Sequence, residues 1–260
     1  MVRRAAAAVK RAADEGVRRQ RILVVVPDDE REYMVFGAVP IQGTSAPEDL
    51  DPWPGGLKQQ YPIALELGKS LLRQVTGAEE SACTSQVLDA EDACGLILAQ
   101  GATAADDAAC VLFAGSDQMD ELAKVEAMVG GKRLLCLLNP QFSRPEDFSL
   151  WQRGKAKSTY FERGYQTTFA FEELACRGED VKLVGEYGRG WRAFVYLDDR
   201  ELDGTPLHDG YLRERPEYKW IEAQINQRHP QPRWARMLDE VDQKGLRFMR
   251  GGDGDQQQDA

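Results

Sequence analysis

Polar residues stand directly after two short apolar runs, where they would mark the ends of strands. Ser116 follows the run at 109–114, and Asn139 and Gln141 follow the run at 133–138. In open α/β sheets, ligands bind beyond the carboxyl ends of the strands. The pattern therefore predicts a ligand or partner site at these three residues. The alternative also stays open, because strand ends are polar in purely structural proteins too.

A turn containing prolines and glycines precedes the helical pattern at 57–75. Glycines ahead of a helix leave backbone N–H groups uncovered, where an anion could sit. No Lys-Ser or Lys-Thr follows in phase, so the turn is not a Walker phosphate loop. The other interpretation is a rigid connection with its tryptophan packed beneath it. The residues that we expect to bind a ligand or partner here are Trp53, Gly55, Gly56, Gln59 and Gln60.

The sequence lacks the signatures of common catalytic mechanisms. It has no G-x-G-x-x-G motif, and Gly115-Ser116 lacks the glycine two residues before the serine that a nucleophile elbow requires. His208 and His229 lie among loop residues, which favours two surface side chains. Three adjacent acids at 28–30 point in different directions, which favours a solvated loop over a metal site. We therefore expect no catalytic residue, no metal and no cofactor.

Composition excludes further classes of protein. The 260 residues include 43 acids and 33 bases, for a formal net charge of −10, which argues against general nucleic-acid binding. No apolar run approaches the roughly 18 residues that span a bilayer. The five cysteines form no C-x-x-C pair, which indicates a reducing compartment. The alanine-rich, basic start is unlike a secretory signal. Its arginines predict either a local basic patch or, as we favour, a solvated helix face.

The elements that position these residues follow from periodicity. Continuous apolar runs at 21–26, 109–114 and 133–138 are typical of buried parallel strands, and helical patterns alternate with them. We expect an α/β fold, with a largely parallel sheet flanked by helices, a C-terminal antiparallel meander and terminal helices. The domain would span 1–245, and 246–260 would be a disordered polar tail. The other predicted elements are helices at 2–15, 90–98, 143–160, 217–227 and 233–244, a helix after Ser116 or Asp117 as its cap, a strand at 84–88, and meander strands at 165–176, 180–187 and 191–197.

Several blocks of the sequence resemble the plant, algal and cyanobacterial domain of unknown function nineteen ninety-five. The resemblance covers roughly residues 1 to 245. Pro52, where a second acid is expected, and Pro62, inside the predicted helix, depart from the family pattern. The resembling blocks are 14–21, 49–60, 138–141, 169–172, 177–181 and the Gly190-Trp191 turn.

The resemblance implies a location and a role, but no reaction. The family includes a low-photosystem-II-accumulation protein, and one copy is fused to a chloroplast adenylate kinase. It implies a non-enzymatic chloroplast protein of the stroma, or associated peripherally with thylakoids. Its role would be to assist assembly or maintenance of photosystem complexes by binding their subunits or assembly factors. The alternative, motivated by the kinase fusion, is a nucleotide- or phosphate-binding enzyme or sensor with its site at the strand carboxyl ends.

Overall fold

The computed structural model describes residues 1–26, 56–162, 164–196, 204–236 and 238. The predicted tail at 246–260 and the end of the helix predicted at 233–244 lie outside these residues. Five α-helices are described: α1 (Val2–Asp14), α2 (Leu57–Thr76), α3 (Met119–Val129), α4 (Arg153–Ala156) and α5 (Tyr218–Arg228). The nine described strands are β1 (Arg19–Leu23), β2 (Cys83–Asp89), β3 (Cys94–Ala99), β4 (Ala108–Leu112), β5 (Leu134–Leu138), β6 (Gln166–Cys176), β7 (Glu179–Glu186), β8 (Gly190–Tyr196) and β9 (Thr205–Pro206).

The nine strands form one sheet in the order β2-β3-β4-β5-β1-β6-β7-β8-β9. β4, β5 and β1 are neighbours and run parallel, as predicted. β6 continues the parallel set on the other side of β1. Every residue of β4 and β5 is buried, because helices cover both faces of the sheet there. The predicted α/β class and the C-terminal meander are confirmed.

The parallel part of the sheet is smaller than expected, and most of the pairings are antiparallel. β2 pairs antiparallel with β3, β3 pairs antiparallel with β4, and β8 pairs antiparallel with β9. The helix predicted at 90–98 is wrong, because this segment contains β3. A tight turn at Asp89 explains the difference: its Oδ1 accepts hydrogen bonds from the backbone N–H groups of Glu91 and Asp92. That turn reverses the chain before any helix can form.

The chain is divided into two compact units. The first contains Met1–Glu172 and Val184–Trp191, and the second contains Glu173–Leu183 and the described residues from Arg192 onward. The prediction of a single domain over 1–245 stays a prediction. All the predicted site residues that the structure describes belong to the first unit.

Two layers of side chains form the core of the first unit. On one face of the sheet, α3 packs against β4 and β5 with a cluster that includes Leu135 and Leu137. On the other face, α2 lies so close to the strands that a Cβ on Gly68 would be 2.5 Å from Ile97 Cδ1. Helix α1 packs against α2 through its alanine stripe. The small residues of these two helices permit that close approach.

The helix predicted at 2–15 is confirmed as α1, and two of its arginines have specific partners. Arg4 Nε donates a hydrogen bond to Glu186 Oε1 at 2.5 Å. Arg11 donates to the backbone carbonyl of Tyr187 through Nε and Nη2. Arg189 completes a set of cations around the buried Glu186 carboxylate. These arginines attach α1 to the β7–β8 turn.

Helix α2 accommodates a proline six residues after its N-cap. The helix runs over Leu57–Thr76 with Gly56 as N-cap, so the missing N–H of Pro62 would have bonded the carbonyl of Lys58. The helix continues past this position and ends at Gly77, whose φ of +73° only glycine adopts without strain. The expected helix at 57–75 is thus confirmed despite the proline.

The meander predicted from 165 onward is confirmed by β6, β7 and β8. The β6–β7 turn consists of Arg177 and Gly178, both at positive φ, which is the geometry of a tight two-residue hairpin. The Arg177 guanidinium donates to the carbonyls of His229 and Pro230. The segment before residue 233 is therefore anchored to this hairpin.

Candidate functional site

The chain leaves β4 and β5 in the same unusual conformation. Phe113 has a φ of +51° and Asn139 a φ of +49°. Left-handed backbone is tolerated by asparagine but strained for a bulky residue such as phenylalanine. The buried Phe113 is held by its backbone N–H, which donates to the carbonyl of Leu138 at 3.0 Å. Both strand ends therefore turn sharply at one edge of the sheet.

Asn139, a predicted site residue, joins two strand ends. Its Oδ1 accepts a hydrogen bond from the backbone N–H of Val24 at 2.7 Å, and its Nδ2 donates to the carbonyl of Val24 at 2.8 Å. The side chain thus imitates a paired backbone and extends the β1–β5 ladder by one step. This amide has a structural role at the site.

Ser116 and Gln141 are the other predicted strand-end residues; Ser116 is half-buried like Asn139, and Gln141 is exposed. The backbone N–H of Gln141 donates to the carbonyl of Ala114, which links the segments that leave β4 and β5. The Gln141 side chain is exposed and donates to the carbonyl of Asn139. The Ser116 hydroxyl donates to Asp117 at 3.3 Å. The structure therefore places these residues along the predicted edge.

Sequence analysis missed Gln118, the residue that organises this edge. Its side chain is buried, and its Oε1 accepts a hydrogen bond from the backbone N–H of Gly115. Its Nε2 donates to the carboxylates of Asp89 and Asp92, at 3.1 Å and 2.6 Å. The prediction that Ser116 or Asp117 caps the helix is wrong, because Gln118 occupies the N-cap position and no side chain makes the capping bond.

Charge at this edge is negative. The hydrogen bond from Gln118, followed by those from the backbone N–H groups of Asp92 and Glu91, lowers the pKa of Asp89 below its usual range. Burial, together with Asp89, Asp92 and Glu121, raises the pKa of the Cys94 thiol to about 12. The thiol is therefore protonated at neutral pH and is a poor nucleophile. The acidic side chains of Asp89 and Asp92 also weigh against a phosphate group binding here.

The start of α2 contains the rest of the predicted site. The backbone N–H groups of Gln59 and Gln60 donate to the carbonyl of Gly56, which forms the first helical turn. The side chains of both glutamines are half-buried and make contacts, so they are less accessible than expected. Trp53 and Gly55 lie outside the described residues. Their predicted role in binding a ligand or partner therefore stays a prediction.

A second missed feature lies beside Ser116. Residues 149–152 form a turn in which Leu150 is 77% exposed and Trp151 is 96% exposed. Gln152 connects this turn to the strand end, because its Nε2 donates to the carbonyl of Ser116 at 3.4 Å and its Oε1 accepts from the Ser149 hydroxyl. We call Leu150 and Trp151 the exposed apolar pair.

The exposed apolar pair lies next to a cluster of packed aromatic rings. Phe148, just before the turn, is buried, and its ring centroid lies 5.1 Å from that of Phe142. Tyr160 and Phe161 come from a π-helical turn, Lys157–Phe161, and both rings contact Phe142 and Phe148. The expected helix over 143–160 is replaced by short 3₁₀, α and π turns.

Metal and histidine chemistry find little support in the described part of the chain. Among its residues, no three or more His, Cys, Asp and Glu side chains are arranged to hold a metal ion. His208 and His229 belong to the second unit, whereas the strand ends belong to the first. None of the described helices is both long and apolar enough to cross a membrane.

The family described as Domain of unknown function (DUF1995) matches residues 1–223, and the chain belongs to that family. The match includes the whole strand-end edge and the exposed apolar pair. No curated protein and no solved structure matches the chain. The family description assigns no activity, so function must be argued from the site itself.

Proposed function

We propose that this protein is a non-enzymatic, protein-binding factor that assists assembly or maintenance of photosynthetic complexes in the chloroplast. The observation that carries the proposal is the exposed apolar pair beside the strand-end edge. A tryptophan buried in an interface is among the strongest contributors to protein–protein affinity, whereas in water it is a cost. The photosynthetic assignment rests on the family resemblance alone.

The support beneath this pair favours a binding role over incidental exposure. A turn whose backbone is held by its neighbours loses less conformational entropy when a partner covers it than a free loop does. The Gln152 bridges and the aromatic cluster beneath Phe148 supply that support. The neighbouring polar groups of Ser116 and Gln141 would form the polar rim that surrounds the apolar centre of a protein interface.

The side chains at the strand-end edge also favour binding over catalysis. The amide groups of Asn139 and Gln118 are engaged in internal hydrogen bonds, and the Cys94 thiol is protonated. No nucleophile paired with a base is found among the described strand-end residues. The nucleotide-binding alternative receives less support, because the Asp89 and Asp92 carboxylates oppose an anion at this edge.

The test is recovery of native partners by a tagged protein. The double variant Leu150→Ser and Trp151→Ser should unfold at nearly the wild-type temperature, since exposed substitutions usually change stability by less than about 0.5 kcal/mol. From a chloroplast extract it should lose the photosystem subunits or assembly factors that the wild-type protein recovers. Met128→Ser, which alters another exposed apolar residue of the first unit, is the matched control and should retain them.

Two results would contradict the proposal. If the wild-type protein recovers no photosynthetic subunit or assembly factor, the assigned role is wrong. If the double variant recovers the same partners at the wild-type yield, the exposed apolar pair is not the binding surface.

A further inference from the structure

The two edges of the nine-stranded sheet are built differently. β9, at one edge, has only two residues, and Pro206 is one of them. Short edge strands and prolines are devices that prevent a sheet from pairing with another chain. β2, at the other edge, has seven residues and contains no proline, lysine or arginine. Within the described part of the chain, β2 pairs with β3 alone.

β2 also presents an accessible strand surface. Its four central residues, Thr84 to Val87, are all exposed, and the Val87 side chain is 58% exposed. An edge strand carries a row of backbone N–H and C=O groups that a further strand can satisfy. A β-branched residue such as valine favours strand pairing. The edge therefore has the chemistry that recognises an extended polypeptide.

From this contrast, we propose that β2 pairs antiparallel with β2 of a second copy of this chain, forming a homodimer whose sheet is continuous. A second copy of β2 is a compatible partner because the strand can pair with itself. Residues 83–88 carry no charge, so antiparallel self-pairing brings no like charges into opposition. A two-fold register centred on Gln86 pairs Gln86 with the same residue of the other copy and places Val87 opposite Ser85, which lies on the same face of the strand.

Charges near the edge lie outside the segment 83–88, and most of them are acidic: Glu79, Glu80, Asp89, Glu91 and Asp92. Their mutual repulsion lowers the affinity of the dimer. The Cys83 thiol, at the beginning of β2, lies within the influence of Lys69, Arg73 and Glu66, which include both signs. Asp89, at the other end, is engaged with Gln118. The net charge of −10 acts over longer distances, and physiological salt screens exposed charges beyond about 8 Å. One strand pair is smaller than a standard interface of about 1,600 Å², so the dimer should be weak and concentration-dependent.

The experiment combines sedimentation with hydrogen exchange on the purified full chain over a dilution series. Wild-type protein should show a monomer–dimer equilibrium, and backbone amides of 84–87 should exchange more slowly as concentration rises. Val87→Lys should weaken the dimer at least tenfold, because it places a charge at the centre of the edge. Met128→Lys introduces the same charge at an exposed residue outside β2 and should leave the equilibrium unchanged. A thermal melt should show that both variants stay folded.

Three results would overturn the inference. A wild-type monomer at every concentration, with fast exchange in β2, would show an unused edge. Protection of β2 that is independent of concentration would show that another part of the same chain covers it. A dimer that persists in Val87→Lys would place the interface elsewhere. Because no partner protein is needed, these outcomes are separate from the test of the proposed function.

Discussion

The Asn139 side chain makes the two hydrogen bonds that a neighbouring strand's backbone would make. Its amide makes a donor and an acceptor bond with the same residue, Val24, and its left-handed φ of +49° directs the chain out of β5. Asparagine is among the few side chains that tolerate this conformation. Gln118 acts similarly at β4, where it joins Gly115 to the Asp89 turn. Polar residues at strand ends can thus have a structural role without binding a ligand.

Substitutions of Asn139 test how much its side chain contributes to the free energy of unfolding. Replacing it with alanine removes two hydrogen bonds and leaves a left-handed alanine, so the free energy of unfolding should fall by roughly 2–4 kcal/mol. Asn139→Gly loses the same bonds without the backbone strain and should cost less than alanine. Gln141→Ala, at an exposed side chain nearby, is the control and should cost under about 1 kcal/mol. Urea unfolding of the three variants measures these differences.

If Asn139→Ala and Asn139→Gly are equally destabilised, backbone strain contributes nothing at this position. If neither loses more than the Gln141 control, the Val24 hydrogen bonds have no net effect on stability.

At the scale of elements, the short 3₁₀ helix Pro145–Asp147 holds the segment that leads into the exposed turn. Asp147 accepts hydrogen bonds from the backbone N–H groups of Ser143 and Arg144. Its side chain also pairs with the Arg144 guanidinium. The Asp147 carboxylate therefore adds to the backbone hydrogen bonds of this short helix, in which the N–H groups of Asp147 and Phe148 donate to the carbonyls of Arg144 and Pro145.

Asp147 leads to a prediction about pH. The backbone hydrogen bonds from Ser143, then Arg144, lower the pKa of Asp147 from 3.8 to about 2. A carboxylate whose folded-state pKa is depressed contributes stability above its unfolded pKa, and that contribution disappears as pH falls through the folded pKa. The melting temperature of wild-type protein should exceed that of Asp147→Asn by a constant amount above about pH 4 and by progressively less towards about pH 2.

The control for this titration is Glu146→Gln, which changes the adjacent exposed acid. Its melting temperature should follow that of the wild-type protein across the same range. A difference between wild type and Asp147→Asn that does not change between neutral and acidic pH would show that the carboxylate charge is irrelevant to the turn.

At the scale of the whole molecule, residues near the two ends of the first unit meet. Arg4 and Glu186 are separated by 182 positions in the chain and form an ion pair. The Glu186 side chain is almost fully buried, whereas Arg4 keeps 42% of its side-chain exposure. Arg11 and Arg189 also approach the carboxylate, so its buried charge is balanced by several cations. This cluster fixes the position of α1 within the first unit.

The whole-molecule prediction tests that cluster. Arg4→Met should lower the free energy of unfolding by roughly 1–2 kcal/mol, because it removes a charged hydrogen bond while partial exposure of Arg4 and the remaining arginines limit the loss. Arg3→Met, at an exposed neighbour on the same helix, should stay within about 0.5 kcal/mol of wild type. Chemical unfolding measures both. Equal stability of the two variants would show that Arg4 does not hold α1 in place.

The sequence by itself determined the local elements whose signals are strong. Continuous apolar runs identified β4 and β5, since a strand buried on both faces has no polar positions. The alanine stripe identified α1, and the alternation of strands and helices identified the α/β class. Ser116, Asn139 and Gln141 could be placed at one edge, because parallel strands end on the same side. Only local periodicity and one general rule of topology were needed.

Only the tertiary structure decided what those residues do. Whether Trp151 is buried or exposed depends on where the turns around Phe148 direct the chain, and local composition does not encode that direction. The roles of Asn139 and Gln118 depend on Val24 and Asp89, which are distant in sequence. β3 replaced a predicted helix because pairing with β2 and β4 outweighs the weak propensity of a short segment. These features depend on contacts between residues that are far apart in the chain, and local sequence patterns do not reveal such contacts.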